Sequence, residues 1–283
     1  MQRAASLLLP LAALAIAIFA LACTAQAAPR AELWQRWAAH SPGTSASVDH
    51  GAWDLLLGRY LTPHEDGVAR FDYAGVSAAD RRALDGYIAA LEGVDVDALA
   101  RPEQFASWVN LYNAVTVKTV LDHYPVDSIR DIDISPGLFA DGPWGKALAE
   151  VAGEPLSLDD IEHRILRPIW RDPRVHYAVN CAALGCPNLA PRAFTAANTE
   201  AQLEAAARAY VNHPRGVMAR RGKLVVSSIY IWFKADFGNT DPGVIDHLKA
   251  YARPDLAARL MDARRIDDHT YDWALNGIAS PGS

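Results

Sequence analysis

The chain has 283 residues, of which 51% are hydrophobic and 21% are charged, and its formal net charge at pH 7 is −6. This composition is ordinary for a globular protein with a sizeable core, and it excludes a disordered or low-complexity chain. An acidic balance gives no electrostatic footprint for nucleic acid or for an anionic membrane surface. We expect one globular domain over residues 28–283.

The first 27 residues have the features of a targeting leader. A positive charge precedes the apolar run 7–22, and Ala25, Gln26 and Ala27 form a small-x-small cleavage site. We expect residues 1–27 to be removed as a signal peptide. Two alternatives stay open, namely lipid attachment at Cys23 and an uncleaved leader that acts as an anchor. All three place the body outside the cytoplasm, as a periplasmic, secreted or lipid-anchored protein.

Residues 103–123 predict a long, central helix. The segment is apolar on nearly every face and is followed by Tyr124-Pro125, which should end it. Asn110 and Asn113 lie on one face, and a buried amide without a partner costs about 1–3 kcal/mol, so both should be hydrogen-bonded. They either tie neighbouring loops to the core or, together with Tyr112, contact a ligand.

A second helix is predicted to begin at Ser157. Residues 157–160, Ser-Leu-Asp-Asp, resemble a capping box in which Asp replaces the usual Glu. The helix should end at Pro168, because proline cannot donate to the helical ladder. It carries Glu162 and His163. These two side chains would reach the neighbourhood of the next segment, which contains the cysteines.

Residues 174–187 are the stretch with the most chemical character. The alternation over 175–179 predicts a buried strand that bears His176, and a short loop follows. That loop contains Cys181 and Cys186, the only cysteines beyond the leader. A thiol delivered into a turn punctuated by Gly and Pro can form a reactive site or a small disulfide clip.

The remaining segments alternate between helices and short strands. We expect helices over 198–212 and 242–260, and strands over 223–226 and 264–271. The two arginines of the turn 220–222 should be solvated. Helices mixed irregularly with a few strands predict the α+β class, mainly helical with a small antiparallel sheet around a central buried helix.

Several spaced motifs together resemble one known family. They are W-V-N-L-Y-N-A at 108–114, L-D-D-I-E-H at 158–163, D-P-R-V-H at 172–176, N-C at 180–181, G-C-P at 185–187, S-S-I at 227–229, W-F at 232–233 and D-F-G at 236–238. The chain is similar to the domain of unknown function 547 family over about residues 53–238. That family has no established activity, so the resemblance implies where a site lies rather than which reaction occurs there.

The first hypothesis for this cluster is a thiol enzyme. Cys181 or Cys186 would be the nucleophile, and the chemistry would be acyl transfer or hydrolysis. A thiol has an unperturbed pKa of about 8.5 and attacks as the thiolate, so it needs a basic or cationic neighbour. His163 or His176 would activate it, Glu162 or an asparagine would orient the imidazole, and Asn110 would help to stabilise an oxyanion.

Two other hypotheses use the same residues. A zinc site of two histidines and two cysteines has suitable ligand types, but the C-x4-C spacing is wider than usual, and we expect no metal. A disulfide between Cys181 and Cys186 would be the default in an oxidising compartment, and it would contribute about 2 kcal/mol.

Recognisable cofactor motifs are missing from the sequence, which contains no dinucleotide fingerprint, no Walker loop and no H-E-x-x-H. We therefore expect no cofactor and no nucleic-acid partner. The expected partner is a small molecule or an envelope protein, and contact with the membrane would occur only through a lipid on Cys23.

The sequence predicts an exported protein with a pocket near Asn110, His163, His176 and Cys181. The alternative is a non-catalytic envelope binding or scaffold module with a Cys181–Cys186 disulfide.

Overall fold

The computed structural model describes residues 29–137 and 141–278, so the predicted leader, its cleavage site and Cys23 lie outside the described residues. The helices are α1 (Gly51–Tyr60), α2 (Ala78–Glu92), α3 (Arg101–His123), α4 (Arg167–Trp170), α5 (Val175–Ala178), α6 (Thr199–Val211), α7 (Ile229–Trp232), α8 (Asp241–Tyr251) and α9 (Pro254–Leu260). The strands are β1 (Leu61–Thr62), β2 (Arg70–Phe71), β3 (Ala147–Val151), β4 (Glu154–Ser157), β5 (Val217–Arg220), β6 (Lys223–Ser227) and β7 (Asp268–Thr270). Among these residues, no helix has both the length and the hydrophobicity needed to cross a membrane.

The helix α3 lies at the centre of the main hydrophobic core, which confirms the predicted central buried helix. Every side chain from position 104 to position 117 is buried. Pro102 fits the first turn, where a missing N–H costs nothing, and Tyr124 adopts an extended conformation before Pro125. The largest buried side chains of this core include Trp108 of the helix itself, together with Trp37 and Trp53. Such burial on all faces explains why the helix shows no polar stripe.

The strands form small sheets, which confirms the α+β class. The strands β1 and β2 pair in antiparallel fashion, as do β3 and β4. The strands β5 and β6 form a hairpin, and β7 joins β6 in parallel. A parallel neighbour requires a long connection, and here α7, α8 and α9 lie between β6 and β7 in the chain. A second, smaller core forms against this sheet.

The predicted capping box forms. The Ser157 hydroxyl accepts the Asp160 N–H at 3.0 Å, and the Asp160 carboxylate accepts the Ser157 N–H at 3.0 Å. A π-helical segment (Asp160–Leu166) follows and continues into α4. The predicted end at Pro168 was therefore wrong, because the helix runs through the proline to Trp170.

The N-terminal segment compensates for Pro168. The Arg167 N–H donates to the Glu162 carbonyl, five residues earlier. Because Pro168 has no N–H, the carbonyls of His163 and Arg164 need donors from outside the helix. Glu32 N–H donates to the His163 carbonyl and Trp34 N–H to the Arg164 carbonyl, both at 3.0 Å. The carbonyls that Pro168 leaves free are thus satisfied by the backbone of Glu32 and Trp34.

The predicted strand over 175–179 was also wrong, because Val175–Ala178 is one turn of helix. The Val175 N–H donates to the Asp172 carbonyl, and the Val179 N–H donates to the Val175 carbonyl. Only Val179 is extended. All four side chains of the turn are buried, so the alternation did not separate a buried face from an exposed one.

Candidate functional site

A cavity of about 540 Å³ lies between the π-helical segment, the cysteine loop and the C-terminal aromatic residues. It is lined by Pro29, Tyr112, Arg130, Ser135, Pro136, Asp141, Trp144, Gly145, Asp159, Glu162, His163, His176, Val179, Cys181, Cys186, Ile229, Trp232, Phe233, Tyr271 and Trp273. All five predicted catalytic candidates and one predicted ligand contact, Tyr112, are therefore brought together. Asn110 and Asn113 do not line the cavity.

The two thiols form a close pair at the cavity wall. Their Sγ atoms are 3.1 Å apart and are not bonded covalently. Cys181 is partly exposed, whereas Cys186 is buried. The Cys181 backbone N–H donates to the Cys186 Sγ at 3.1 Å, and the Tyr271 hydroxyl is 3.0 Å from the Cys181 Sγ.

The loop between the thiols is held close to the backbone that follows β7. Gly185 donates its N–H to the Asp272 carbonyl at 2.8 Å, and a Cβ at Gly185 would lie 2.7 Å from the Asp272 N. Only glycine fits this approach without a shift of backbone. The loop is therefore clamped where it presents Cys181 to the cavity.

The two thiols ionise as a coupled pair. Burial opposes ionisation of Cys186, but hydrogen bonds from the Cys181 side chain and backbone, with Tyr271 nearby, outweigh it and lower the pKa of Cys186. The hydrogen bond to Cys186 and then burial raise the pKa of Cys181. The pair thus loses its first proton more readily than an isolated thiol does, and the second proton is held.

A charged network includes two residues that line the cavity, Glu162 and His176. The His176 Nε2 is 2.7 Å from Asp236 Oδ2, and its Nδ1 is 3.4 Å from Glu162 Oε1. Arg167 donates from Nε to the same Asp236 oxygen at 2.6 Å. The Phe233 ring stacks on the His176 ring, with 4.4 Å between centroids. The Arg167 guanidinium carbon lies 4.7 Å from the centroid of the same Phe233 ring. This set, Glu162, Arg167, His176 and Asp236, is called the charged network below.

The members of the charged network stabilise one another's ionised forms. Burial opposes ionisation of Glu162, but His163, His176 and Arg167 outweigh it and lower the pKa of Glu162 to about 2. Asp236 behaves alike, and the hydrogen bonds from His176 and Arg167 lower its pKa to about 2 against burial. Burial lowers the pKa of His176, but Asp236 and Glu162 outweigh it and raise that pKa.

His163 has a separate set of partners. Its Nδ1 accepts from Arg167 Nη1 at 3.0 Å, because a guanidinium has no acceptor atom. Its Nε2 faces Asp159 Oδ1 at 3.5 Å. The thiols in turn contact each other and Tyr271. Among the described contacts, no hydrogen bond joins an imidazole of the cavity to a thiol. Activation of a thiol by His163 or His176 therefore stays a prediction.

The two asparagines of α3 are bound to backbone. Asn110 accepts from the Phe194 N–H at 2.9 Å and donates to the Phe194 carbonyl at 2.8 Å. Asn113 donates to the Ala178 carbonyl at 2.9 Å and accepts from the Asn180 N–H at 2.8 Å. Asn113 thus fixes the backbone immediately before Cys181, and both amides act here as ties between loops and core.

Three residues of the site were missed by sequence reasoning. Asp236 was available as part of the D-F-G motif, yet nothing in the sequence paired it with His176, 60 positions away. Arg167 lies next to the proline at which the helix was predicted to end, and nothing in the sequence marked it as part of a site. Tyr271, which contacts Cys181 across 90 positions, carried no signal at all.

The four ligands of the hypothetical zinc site do not converge. In the parts of the chain that the structure describes, no group of three or more His, Cys, Asp or Glu side chains is arranged to hold a metal ion. The histidines are engaged by carboxylates and Arg167, and the thiols by each other and Tyr271.

The charged network predicts a pH optimum of stability. Glu162 and Asp236 have lowered pKa values, so their contribution is present above about pH 4.5 and is lost as the pH falls toward 2. His176 has a raised pKa, so its contribution is present below about pH 6.5 and is lost as the pH rises through that raised value. We expect the free energy of unfolding to be highest between these limits and to fall by about 3–5 kcal/mol from pH 5 to pH 2.

Urea unfolding followed by tryptophan fluorescence across the pH series measures this profile. Asp236→Asn should flatten the acid limb, whereas Asp246→Asn, which changes an exposed carboxylate on α8, should leave its slope unchanged. An acid limb that is equally steep in both variants would contradict the assignment.

The comparisons with known proteins give one match. A family model described as "Protein of unknown function, DUF547" matches residues 96–211. This segment lies inside the span 53–238 that the motifs indicated, and it contains both cysteines and both cavity histidines. No curated protein and no solved structure matches the chain. The resemblance to this family is thereby confirmed over residues 96–211, whereas the motifs at 227–238 lie outside the match.

Proposed function

We propose that this chain is an exported protein, periplasmic or secreted, that carries out thiol–disulfide exchange with a small ligand. The exchange takes place in the cavity that Cys181 and Cys186 line, which is called the thiol cavity below. The observation that carries the proposal is the sulfur pair. The two Sγ atoms lie 3.1 Å apart, with Cys181 partly exposed to the cavity and Cys186 buried behind it. The Cys181 sulfur is accessible to attack by a ligand thiolate. The Cys186 sulfur is placed to be the leaving group when the disulfide opens and the attacking thiolate when it forms again.

The first step begins from the disulfide form of the pair. A ligand thiolate attacks the accessible Cys181 Sγ and forms a mixed disulfide, while the Cys181–Cys186 bond breaks. The bonding electron pair leaves on Cys186 as a thiolate. The Cys181 backbone N–H, which donates to the Cys186 Sγ at 3.1 Å, would stabilise this thiolate, and a stabilised thiolate is a better leaving group.

The second step completes the exchange. A second thiolate of the ligand attacks the ligand sulfur that is bonded to Cys181, which releases the Cys181 thiolate. The raised pKa of Cys181 means that this thiolate takes a proton readily. The ligand loses two electrons and two protons and becomes a disulfide, and the protein gains a dithiol. A small-molecule disulfide returns the pair to its oxidised form by the same steps in reverse.

The cavity walls indicate the kind of ligand. Trp144, Trp232, Tyr271 and Trp273 form a contiguous aromatic wall, with neighbouring ring centroids 4.6–5.7 Å apart. The volume of about 540 Å³ suits a small molecule or the tip of a peptide loop. An apolar or planar group beside the reacting thiol would pack on this wall.

A second candidate function is thiol-dependent acyl transfer. It is favoured by one observation, which is that His163 and His176 line the same cavity as Cys181. In this reaction Cys181 would attack a carbonyl carbon, expel the leaving group with a proton from an imidazole, and carry the acyl group as a thioester. It needs one thiol, whereas exchange needs both.

A redox titration of the purified chain tests the proposal. The protein is isolated without reductant and alkylated, and the free thiols are counted by intact mass before and after addition of dithiothreitol under native conditions. We expect no free thiol at first, and then rapid reduction of the folded protein with alkylation at pH values well below 8.5. If the sulfurs react only after unfolding, the pair is a structural disulfide and the chain is the non-catalytic scaffold alternative.

A further inference from the structure

A second cavity, of about 780 Å³, lies on a different face of the molecule and is lined mainly by cations. It is formed by the β5–β6 turn, the end of α9 and the segment that leads to β7. The cationic side chains are Arg220, Arg221, Lys223, Arg259, Arg264 and Arg265, and the carboxylates are Asp262 and Asp267. This set is called the basic groove. It has four more positive than negative groups, although the whole chain is acidic.

The charges of the basic groove are compensated only in part. In the described ranges, the ion pair within the groove joins Arg265 to Asp267 at 3.2 Å. Arg264 donates to the Met261 and Ala263 carbonyls at 3.0 and 3.1 Å, which holds it at the groove. The remaining four cations are exposed. Like charges gathered in one concave surface repel, and an anion placed among them relieves that repulsion.

The backbone supports the same conclusion. Arg221 and Gly222 adopt φ values of 51° and 74°, which is the two-residue hairpin turn that Asn-Gly forms most readily. Arginine at the first of these positions pays a steric cost that asparagine largely avoids. The groove therefore has a charge where local backbone preference alone favours a neutral residue.

We propose that the basic groove binds a ligand that carries two or more phosphate groups. Arginine forks match phosphate oxygens in pairs of parallel hydrogen bonds, and five of the six cations are arginines. The volume exceeds that of a single phosphate, so one phosphate leaves most of the cations uncompensated. The ligand is either a free oligophosphate or the phosphate-bearing headgroup of a lipid. Arg220 and Arg221 are exposed, as the sequence predicts, and the proposal adds an anionic ligand to their solvated surface.

The test uses the whole chain and two probes. Tripolyphosphate is titrated by calorimetry at low ionic strength, and sedimentation is measured with vesicles of phosphatidylcholine containing cardiolipin, a lipid that carries two phosphates. The variant is Arg221→Asn with Arg259→Gln, since asparagine tolerates the left-handed turn. The matched control is Arg82→Asn with Arg192→Gln, which removes the same charge from exposed positions elsewhere.

We expect the groove variant to weaken binding roughly tenfold or more, because each arginine supplies charged hydrogen bonds. The control should change binding less than about twofold, through long-range charge alone. Binding of tripolyphosphate without vesicles identifies a free oligophosphate, and binding of vesicles without tripolyphosphate identifies a lipid headgroup. Absence of binding to both probes, or an equal loss in the control variant, overturns the proposal.

Discussion

Replacing Asp236 with Ala lowers the free energy of unfolding by about 3–5 kcal/mol, because it leaves Arg167 buried beside an imidazolium without its carboxylate. Asp236 accepts from Arg167 at 2.6 Å and lies 2.7 Å from His176, and only 4% of the Arg167 side chain is exposed. Equilibrium urea unfolding at pH 6 measures the change. Asp236→Asn keeps the shape and removes the charge, so it separates lost packing from lost charge.

The matched control is Asp246→Ala on α8, where the carboxylate is 77% exposed and pairs with Lys249 at 3.6 Å. An exposed pair of this kind contributes about 0–1 kcal/mol. If the two variants differ by less than about 1 kcal/mol, the charged network does not act as a buried unit. A large loss in Asp236→Ala but not in Asp236→Asn would instead assign the effect to packing.

Replacing Cys186 with Ser reduces multiple-turnover thiol–disulfide exchange by at least about a thousandfold, because the variant cannot form the Cys181–Cys186 disulfide from which each turnover begins. The variant should still react once, and it should accumulate the mixed disulfide with a small disulfide reagent. Intact mass measures that adduct. Cys181→Ser should form no such adduct, since Cys186 is buried.

Cys186→Ser, compared with His163→Ala and His176→Ala, separates the two candidate functions. Acyl transfer needs only Cys181, so Cys186→Ser would keep turnover with a thioester-forming substrate, and His163→Ala or His176→Ala would lose it. Exchange gives the opposite pattern. Thermal unfolding of each variant without reductant serves as the control, because a large fall in melting temperature in both cysteine variants, without any adduct, would indicate the structural disulfide.

Much of the helical framework could be predicted from the sequence, because its signals are local. The helix α3 is apolar on every face, and Tyr124-Pro125 marks its end. The capping box at Ser157 needs residues only three apart. The cysteines and histidines of the cavity were also found, since they fall in short spaced motifs.

The predicted strand over 175–179 and the predicted helix end at Pro168 were wrong because each local sequence pattern is compatible with more than one structure. Alternation over 175–179 is expected of a strand, but a single helical turn can bury all of its side chains. Pro168 ordinarily ends a helix, but here it follows a π-helical segment whose free carbonyls are satisfied by Glu32 and Trp34. That compensation comes from a segment about 130 positions earlier, which no local pattern describes.

The parts of the site that depend on distant segments could not be predicted. Asp236 and Tyr271 reach His176 and Cys181 only because the chain returns to the cavity after α6. The basic groove arises in the same way, since its arginines come from a hairpin turn and from residues near α9. The overall acidity of the sequence masks such a local concentration of charge.

The thiol cavity is assembled from two stretches of chain with different relations to the family match. The cysteines, the histidines and Glu162 fall within residues 96–211, whereas Trp232, Phe233, Tyr271 and Trp273 fall outside it. A protein cut to the matched segment would keep the reactive groups but lose most of the aromatic wall. Under the proposed exchange reaction, reactivity and ligand selection therefore depend on different stretches of chain, so two chains that share the matched segment need not share a substrate.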